Sequence, residues 1–413
     1  MCYSLATMTT AKIDFVPRGT VTSPHGFCAG ATAAGIKENS RSELDLGIIF
    51  SETPCVTAGL FTTSKTRSAS LRLCQERVQR GRAAAIVANS GCANAATGEP
   101  GIADAAEMTA ATAHALGIEP EDVLIASTGV IGTKLPMDKI KDGIRQIALS
   151  AAGGHDFARA IMTTDTVPKA AAITVQASQD QFTIGGVAKG SGMIHPDMAT
   201  MLCFLTTDAA VEPGFLKSAL KRAADISLNM VSIDGDTSPS DVVLIMANSQ
   251  AENELITPDS KLADIFQEAL STICIHLAKA IASDGEGATR LIEVTVNGAA
   301  STADARLAAR TVVSSPLVKT AVHGSDPNWG RITAALGRCG VEVVETKIDI
   351  AIGSTILVEK GLPVPFSEEV VVHRLNQREV PIRINLNLGI ASATACGCDL
   401  SQEYVTINSQ YTT

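Results

Sequence analysis

Two apolar periods alternate along this chain. Residues 102–116 form an Ala-rich segment running up to Gly117, a residue suited to end a helix. Pro136 followed by MDKIKDGIRQIAL predicts a second helix with proline in its first turn. Over 215–228 and 261–281 apolar residues recur every three or four positions, which predicts two more helices with one buried face. Short apolar runs of strand length, mostly with β-branched residues, lie at 84–88, 123–126, 171–175, 242–246 and 291–296. The pattern is that of a mixed α/β chain.

No repeat of 20–50 residues suggests a solenoid, and no low-complexity linker divides the chain. The polar run 178–181 and the glycine-rich run GGVAKGSG, 185–192, predict loop. They lead into GMIHPDMATML, 192–202, which crowds a His-Pro-Asp step, three methionines and an Ala-Thr pair ahead of an apolar strand. A strand entered through such a turn needs a reason.

Composition narrows the classes. With 413 residues, 46% hydrophobic and 18% charged, the chain can bury a large core and divide into two or three domains. No uninterrupted apolar stretch approaches the roughly 18 residues of a membrane span. The first residues have neither the charged and apolar regions of a signal peptide nor the arginines of a transit peptide, so the expected location is cytoplasmic, with no membrane partner. A formal charge of −10, without basic clusters or aromatic platforms, argues against a nucleic-acid partner. Ten cysteines stand singly apart from Cys396-Gly-Cys398, with no zinc-ligand spacing, and read as free thiols.

Candidate chemistry is sparse by elimination. The glycine-rich run holds Lys189 but matches neither GxxxxGK[ST] nor GxGxxG. It could bring backbone N–H groups and a lysine against an anion such as an amino-acid carboxylate, or simply connect strands tightly. SIDGDTSPSD, 232–241, could hold Mg²⁺, although its residues are also the ordinary vocabulary of turns. SDGEG, 283–287, places Glu286 in a glycine-flanked turn whose simplest reading is solvated. The seven histidines stand alone, and His195 is expected to shape its loop rather than act as a base. Thr200 offers a different base. If the Ala199-Thr200 bond were cut, the new α-amine, with a pKa of about 7.7–8.0, could take the hydroxyl proton as Oγ1 attacks a carbonyl.

The longer string KGSGMIHPDMATMLCFLTTDA, 189–209, resembles the self-cleavage segment of the ornithine acetyltransferase family, the bifunctional glutamate N-acetyltransferase and amino-acid acetyltransferase of arginine biosynthesis. Blocks similar to the same family follow its order: NSGCANAATG from Asn89, IASTGVIG from Ile125, IMTTDT from Ile161, SIDGDTS from Ser232 and IASDGEGATRLIEV from Ile281. SSPLVKTAVHGSDPNWGR from Ser314 and CGCDLSQEYVTINSQYTT from Cys396 complete nearly the full length. Pro239 stands where a more polar residue is expected, and the segment before Phe15 resembles nothing in that pattern.

The resemblance implies a layered α/β sandwich of the self-cleaving aminopeptidase and ornithine acetyltransferase type, with a smaller C-terminal domain over roughly 300–413. It implies self-cleavage between Ala199 and Thr200 into an α chain, 1–199, and a β chain, 200–413, that stay together, with an α2β2 heterotetramer expected. Thr200 would be the nucleophile and Thr128 and Gly129 the oxyanion hole, worth about 3 kcal/mol per donor in the transition state. Thr163 or Thr164, Lys189, Thr200, Glu286, Asn408 and Thr413 match substrate-binding positions. Ornithine and glutamate differ in side-chain charge, and a cationic Lys189 with an anionic Glu286 would offer a partner to each. The implied reaction is ping-pong: N-acetylornithine acetylates Thr200, and glutamate takes the acetyl group. No metal or cofactor is expected, and acetyl-CoA is a candidate second donor that no motif encodes. A self-cleaving amidase or aminopeptidase would share Thr200 but pass the acyl group to water. A non-catalytic amino-acid-binding protein would not need Thr200 at all.

Overall fold

A computed structural model of the protein describes residues 11–37, 43–195 and 201–410, arranged as a layered α/β fold built on two sheets. Nine strands form the first: β1 (Lys12–Phe15), β2 (Phe27–Thr32), β3 (Leu46–Phe61), β4 (Arg82–Asn89), β5 (Val123–Ser127), β6 (Lys169–Ala177), β7 (Asp180–Lys189), β8 (Leu202–Thr207) and, after β9 (Val231–Ser232), β10 (Val242–Ala247). Their order is β1-β6-β7-β8-β10-β3-β4-β5, with β2 beside β3. The pairs β8–β10 and β4–β5 are parallel and the others antiparallel.

The central strands read as unbroken apolar runs because helices cover both faces. Along β8, Cys203 and Leu205 point into one core with the helices Pro213–Asp225 and Ala263–Ser283. Leu202 and Phe204 point into the opposite core, among Leu71, Met108 and Ile140 from the helices Ala69–Val78, Gly98–Leu116 and Met137–Gln146. There Phe204 meets Phe157 edge to face, ring centroids 5.5 Å apart. The strands β11 (Leu291–Ala299), β12 (Asp349–Ile352), β13 (Thr355–Glu359), β14 (Leu362–Pro363), β15 (Glu379–Asn385) and β16 (Ala391–Cys398) join β9 in the second sheet, which has a core of its own.

The four expected helices form, with ends set by local chemistry. Gly117 takes the left-handed conformation, φ 69°, at the end of Gly98–Leu116. Pro136 sits just ahead of Met137–Gln146, and that helix stops before Ile147 because Ser150 exchanges backbone bonds of 2.9 and 3.0 Å with Ala29. The helix Ala263–Ser283 is long and apolar enough, by length and composition, to cross a membrane. In the fold it buries Phe266, Leu270, Ile273, Leu277 and Ile281 against the sheet and leaves Asp264, Glu268 and His276 exposed.

The glycine-rich run corrects the expectation of loop. Residues 185–189 belong to β7, with 185–188 paired on both sides, to β6 and β8, and Lys189 paired to β8. A Cβ on Gly186 would lie 2.8 Å from Leu205 Cδ2 and 2.9 Å from Leu277 Cδ1, so glycine lets the long helix approach the sheet. The turn itself is confined to Ser178 and Gln179, with Ser178 at φ 56°. All cysteines among the described residues, Cys396 and Cys398 included, are free thiols.

Gly186→Val would overpack this contact. The expected outcome is a loss of about 1–3 kcal/mol, read as a lower denaturant midpoint with an unchanged slope.

Candidate functional site

A cavity of about 240 Å³ opens where the end of β7 meets the starts of β8 and β10. Lys189, the last residue of β7, pairs with Leu202, and Val242 N–H donates to Met201 O at 2.9 Å, which sets Asp241 beside Met201. Lys189, Met201 and Asp241 all line the cavity. Residues 196–200 and 411–413 lie outside the described residues, so Ala199, Thr200 and Thr413 have no place in this geometry.

One buried ammonium organises the walls. Lys169 Nζ, at the start of β6, lies 2.6 Å from Asp165 Oδ1 and 2.6 Å from Asp284 Oδ2, with all three side chains buried. Asp165 also accepts from Gly190 N at 2.7 Å and Thr163 N at 3.0 Å, while Asp284 accepts from Thr166 N at 3.0 Å. The 163–166 turn, the end of β7 and the end of the helix Ala263–Ser283 are thereby tied to one point. Burial raises the Asp165 carboxyl, but the charges of Lys189 and Lys169 and the bonds from Lys169 and Gly190 hold it down at about 2.

The turn after β5 supplies polar donors. Thr128 N–H is taken by Asn89 O at 3.1 Å, whereas Thr128 Oγ1 and Gly129 N–H have no hydrogen bond among the described residues, and both residues face the cavity. Gly129 adopts φ 127°, and a Cβ there would fall 2.3 Å from Gly91 C. Only glycine lets the IASTGVIG turn lie against the NSGCAN loop, to which it is joined by Ala93 N→Val130 O at 3.0 Å and Val130 N→Gly91 O at 3.3 Å.

The opposite wall is charged. Glu286 N donates to Ser191 O at 2.8 Å, and Asn408 Nδ2, from the helix Gln402–Gln410, donates to Glu286 Oε2 at 2.7 Å. Glu286 is only 8% exposed, which corrects the expectation of a solvated turn. Its carboxylate occupies the space beside Gly192, where a Cβ would lie 2.4 Å from Glu286 Cδ. Burial pushes the Lys189 ammonium below its ordinary pKa, against Asp165, Asp241 and Glu286, which pull it up. Burial likewise pushes the Asp241 carboxyl well above the usual range, against Ser238 and Lys189, and its Oδ2 makes no hydrogen bond among the described residues. Tyr404 is raised to about 12 by burial and by Asp234, Glu286 and Asp236, so its hydroxyl stays protonated.

Asp234 resolves the acidic cluster differently from a metal loop. It accepts from Met193 N at 2.5 Å, Ile194 N at 2.9 Å and Asp236 N at 3.2 Å, and so pins the entry to the 196–200 segment. His195 Nδ1 lies 3.1 Å from Ser232 Oγ. Among the described residues no group of three His, Cys, Asp or Glu is placed to hold a metal ion.

The described residues singled out by sequence thus converge: Thr128, Gly129, Thr163, Thr164, Lys189, Glu286 and Asn408 line one cavity, although they span nearly 300 positions. Sequence reading missed Asp165, Lys169 and Asp284, which act from behind the wall, together with the lining residue Tyr404. A usable signal existed in part, since Lys169 follows Asp165 by four residues and opens an apolar strand.

The description of the ArgJ family fits residues 28–413. A protein of Dehalococcoides mccartyi strain CBDB1 named arginine biosynthesis bifunctional protein ArgJ is 54% identical over 403 residues, covering 98% of this chain and 100% of that relative. A protein of the same name from Bacillus subtilis strain 168 is 45% identical over 396 residues, covering 96% and 97%. Among solved structures, ornithine acetyltransferase of Mycobacterium tuberculosis complexed with ornithine is 37% identical, covers 46% of this chain and 100% of that one, and has a TM-score of 0.42. The arginine biosynthesis bifunctional protein ArgJ of Bacillus halodurans is 45% identical, with coverage of 50% and 97% and a TM-score of 0.49.

Asp165→Asn leaves Lys169 and Lys189 short of a buried counter-charge, and a loss of about 3–5 kcal/mol is expected at neutral pH. Because the folded carboxyl titrates at about 2 rather than 3.8, the ionised group stabilises the fold above pH 3.8, and this contribution is lost as pH falls toward 2. Denaturant midpoints measured across that window should therefore drop more steeply for the wild type than for the variant.

Proposed function

The chain belongs to the ArgJ family, and on that premise we propose that it is an acetyltransferase of arginine biosynthesis that carries the acetyl group of N-acetylornithine to glutamate through Thr200. The observation that carries this reading is the single cavity in which Thr128, Gly129, Lys189 and Glu286 meet beside Met201, the residue that follows Thr200. Donors unpaired among the described residues, a cation and an anion around one small space suit acyl transfer between two amino acids of opposite side-chain charge.

In this reading the precursor cuts itself between Ala199 and Thr200. The fixed ends of the segment support that step, since Asp234 holds Met193 and Ile194 while β10 holds Met201. The freed Thr200 amine takes the hydroxyl proton as Oγ1 attacks the acetyl carbonyl. Thr128 Oγ1 and Gly129 N–H receive the negative oxygen of the tetrahedral intermediate. The intermediate collapses to an acetyl ester on Thr200 as the amine of ornithine leaves with a proton. Glutamate's amine then attacks the ester by the same route and departs as N-acetylglutamate.

Water must be kept from the ester between the two halves. The helix Gln402–Gln410 is suited to this, because Tyr404 and Asn408 form part of the cavity wall and Asn408 holds Glu286. The α and β chains remain joined because β7 and β8, which lie on either side of the cut, pair along their length. An α2β2 assembly, a cytoplasmic location and acceptance of acetyl-CoA as a second donor complete the proposal.

Intact-mass measurement and N-terminal sequencing test the first step. The wild type should give two fragments, one beginning Thr-Met-Leu-Cys, and Thr200→Ala should stay whole; an uncut wild type would remove the amine base and with it the mechanism. Thr128→Val should cleave and fold yet lose about 10²-fold or more in kcat. Removing residues 408–413 should abolish transfer or release free acetate. Product analysis with and without glutamate separates transfer from hydrolysis, and acetate as the sole product would make the enzyme an amidase.

A further inference from the structure

A second concavity, about 550 Å³, adjoins the catalytic cavity. The two share Ile131, Met193, Asp236 and Pro239, whereas Lys65, Arg67 and Arg72 belong to the outer one alone. None of these three cations has a carboxylate partner among the described residues. Arg67 donates to Ser64 O at 3.2 Å and to Gln75 Oε1 at 3.1 Å, and the side chains of Lys65 and Arg72 make no hydrogen bond or ion pair there. In a chain of formal charge −10, such a cluster in one groove marks a place for an anion.

The groove and the cavity sort their chemistry by position. Cations stand in the outer groove, and apolar Ile131, Met193 and Pro239 form most of the shared wall. The Thr128 and Gly129 donors, unpaired among the described residues, lie in the inner cavity. A ligand matched to this sequence has phosphates at one end, an uncharged arm in the middle and an acyl carbonyl at the other. Asp236 in the shared wall disfavours placing phosphate further in. N-acetylornithine fits the inner cavity alone, while a nucleotide-bearing thioester is far larger than 240 Å³ and needs the outer groove as well.

We propose that Lys65, Arg67 and Arg72 seat the phosphates of acetyl-CoA, with its arm over Ile131, Met193 and Pro239 and its acetyl carbonyl at Thr128 and Gly129. The inference rests on Thr200 as acyl acceptor. Thr200 Oγ1 bonds to the thioester carbon, the C–S bond breaks, and the hydroxyl proton passes through the Thr200 amine to the leaving thiolate. Free coenzyme A departs and the same acetyl ester stands on Thr200, ready for glutamate. The two donors thus share the inner site and differ in their use of the groove.

Calorimetric binding of coenzyme A to the wild-type protein and to Lys65→Glu/Arg72→Glu tests the groove, together with kcat and KM for glutamate acetylation from each donor. Both positions are exposed, so the variant should fold. Its Kd for coenzyme A and KM for acetyl-CoA should rise about tenfold or more, with kcat little changed. KM for N-acetylornithine, which carries no phosphate, should stay within about twofold. Binding of coenzyme A to the wild type should weaken as salt is raised. No binding to the wild type, equal binding to the variant, an equal loss with both donors, or inorganic pyrophosphate binding as tightly as coenzyme A would each overturn the proposal. If the wild type transfers nothing from N-acetylornithine, the Thr200 reading fails, and the calorimetric Kd still decides the groove by itself.

Discussion

The shape of the inner cavity hangs on the buried contact of Lys169 with Asp165 and Asp284. Taking three charges out of water is costly, and their attraction only roughly offsets that cost, so the cluster does little for net stability compared with apolar packing. What it does is fix position. Through the backbone N–H groups that its two carboxylates accept from, it holds the 163–166 turn, Gly190 beyond β7, and the end of the helix that leads into the turn carrying Glu286. Thr163, Thr164, Lys189 and Glu286 line the cavity as a consequence of where this hidden group places their backbones.

Space matters as much as charge. Gly129 and Gly192 are positions where a methyl group would strike backbone or a carboxylate at less than 2.5 Å, so the walls close to atomic contact only because nothing projects from them. One glycine aligns the donor turn against its neighbouring loop; the other lets Glu286 reach the space beside Lys189. The result is a small polar chamber in which Lys189 is pulled between burial and three carboxylates. Such a balance suits a site that meets first an ammonium side chain and then a carboxylate, because neither bound charge is forced to stand alone.

The proposed use of the adjoining groove extends the same division of labour. Under that proposal, chemistry common to both donors is confined to the inner chamber, and the bulky, highly charged portion of the larger donor is handled outside it. An enzyme arranged in this way can recycle an acetyl group or admit a new one without altering the groups at the reacting carbon.

Helices and strands were legible in the sequence because burial on one face or two leaves a period that survives in one dimension: the run Phe266, Leu270, Ile273, Leu277, Ile281 and the apolar β8 are clear cases. The blocks around Thr128, Lys189, Thr200 and Glu286 were legible as chemistry because their residue types and order carry a resemblance. Gly185–Lys189 was misread, since a glycine-rich run signals a loop unless one knows that a helix lies across it. For Glu286 the resemblance pointed to the site while its local residues read as a solvated turn, because SDGEG looks exposed until Gly192 and Asn408 close around it. Of the Asp165–Lys169–Asp284 cluster only the four-residue spacing of Asp165 and Lys169 shows in the sequence, and neither Asp284 as their partner nor the basic groove does. Sequence by itself determined the elements and nominated the candidate reactive groups; which of the described residues share a cavity, and which of their charges lack partners among the described residues, was decided by tertiary packing, because those properties depend on distances between residues far apart in the chain.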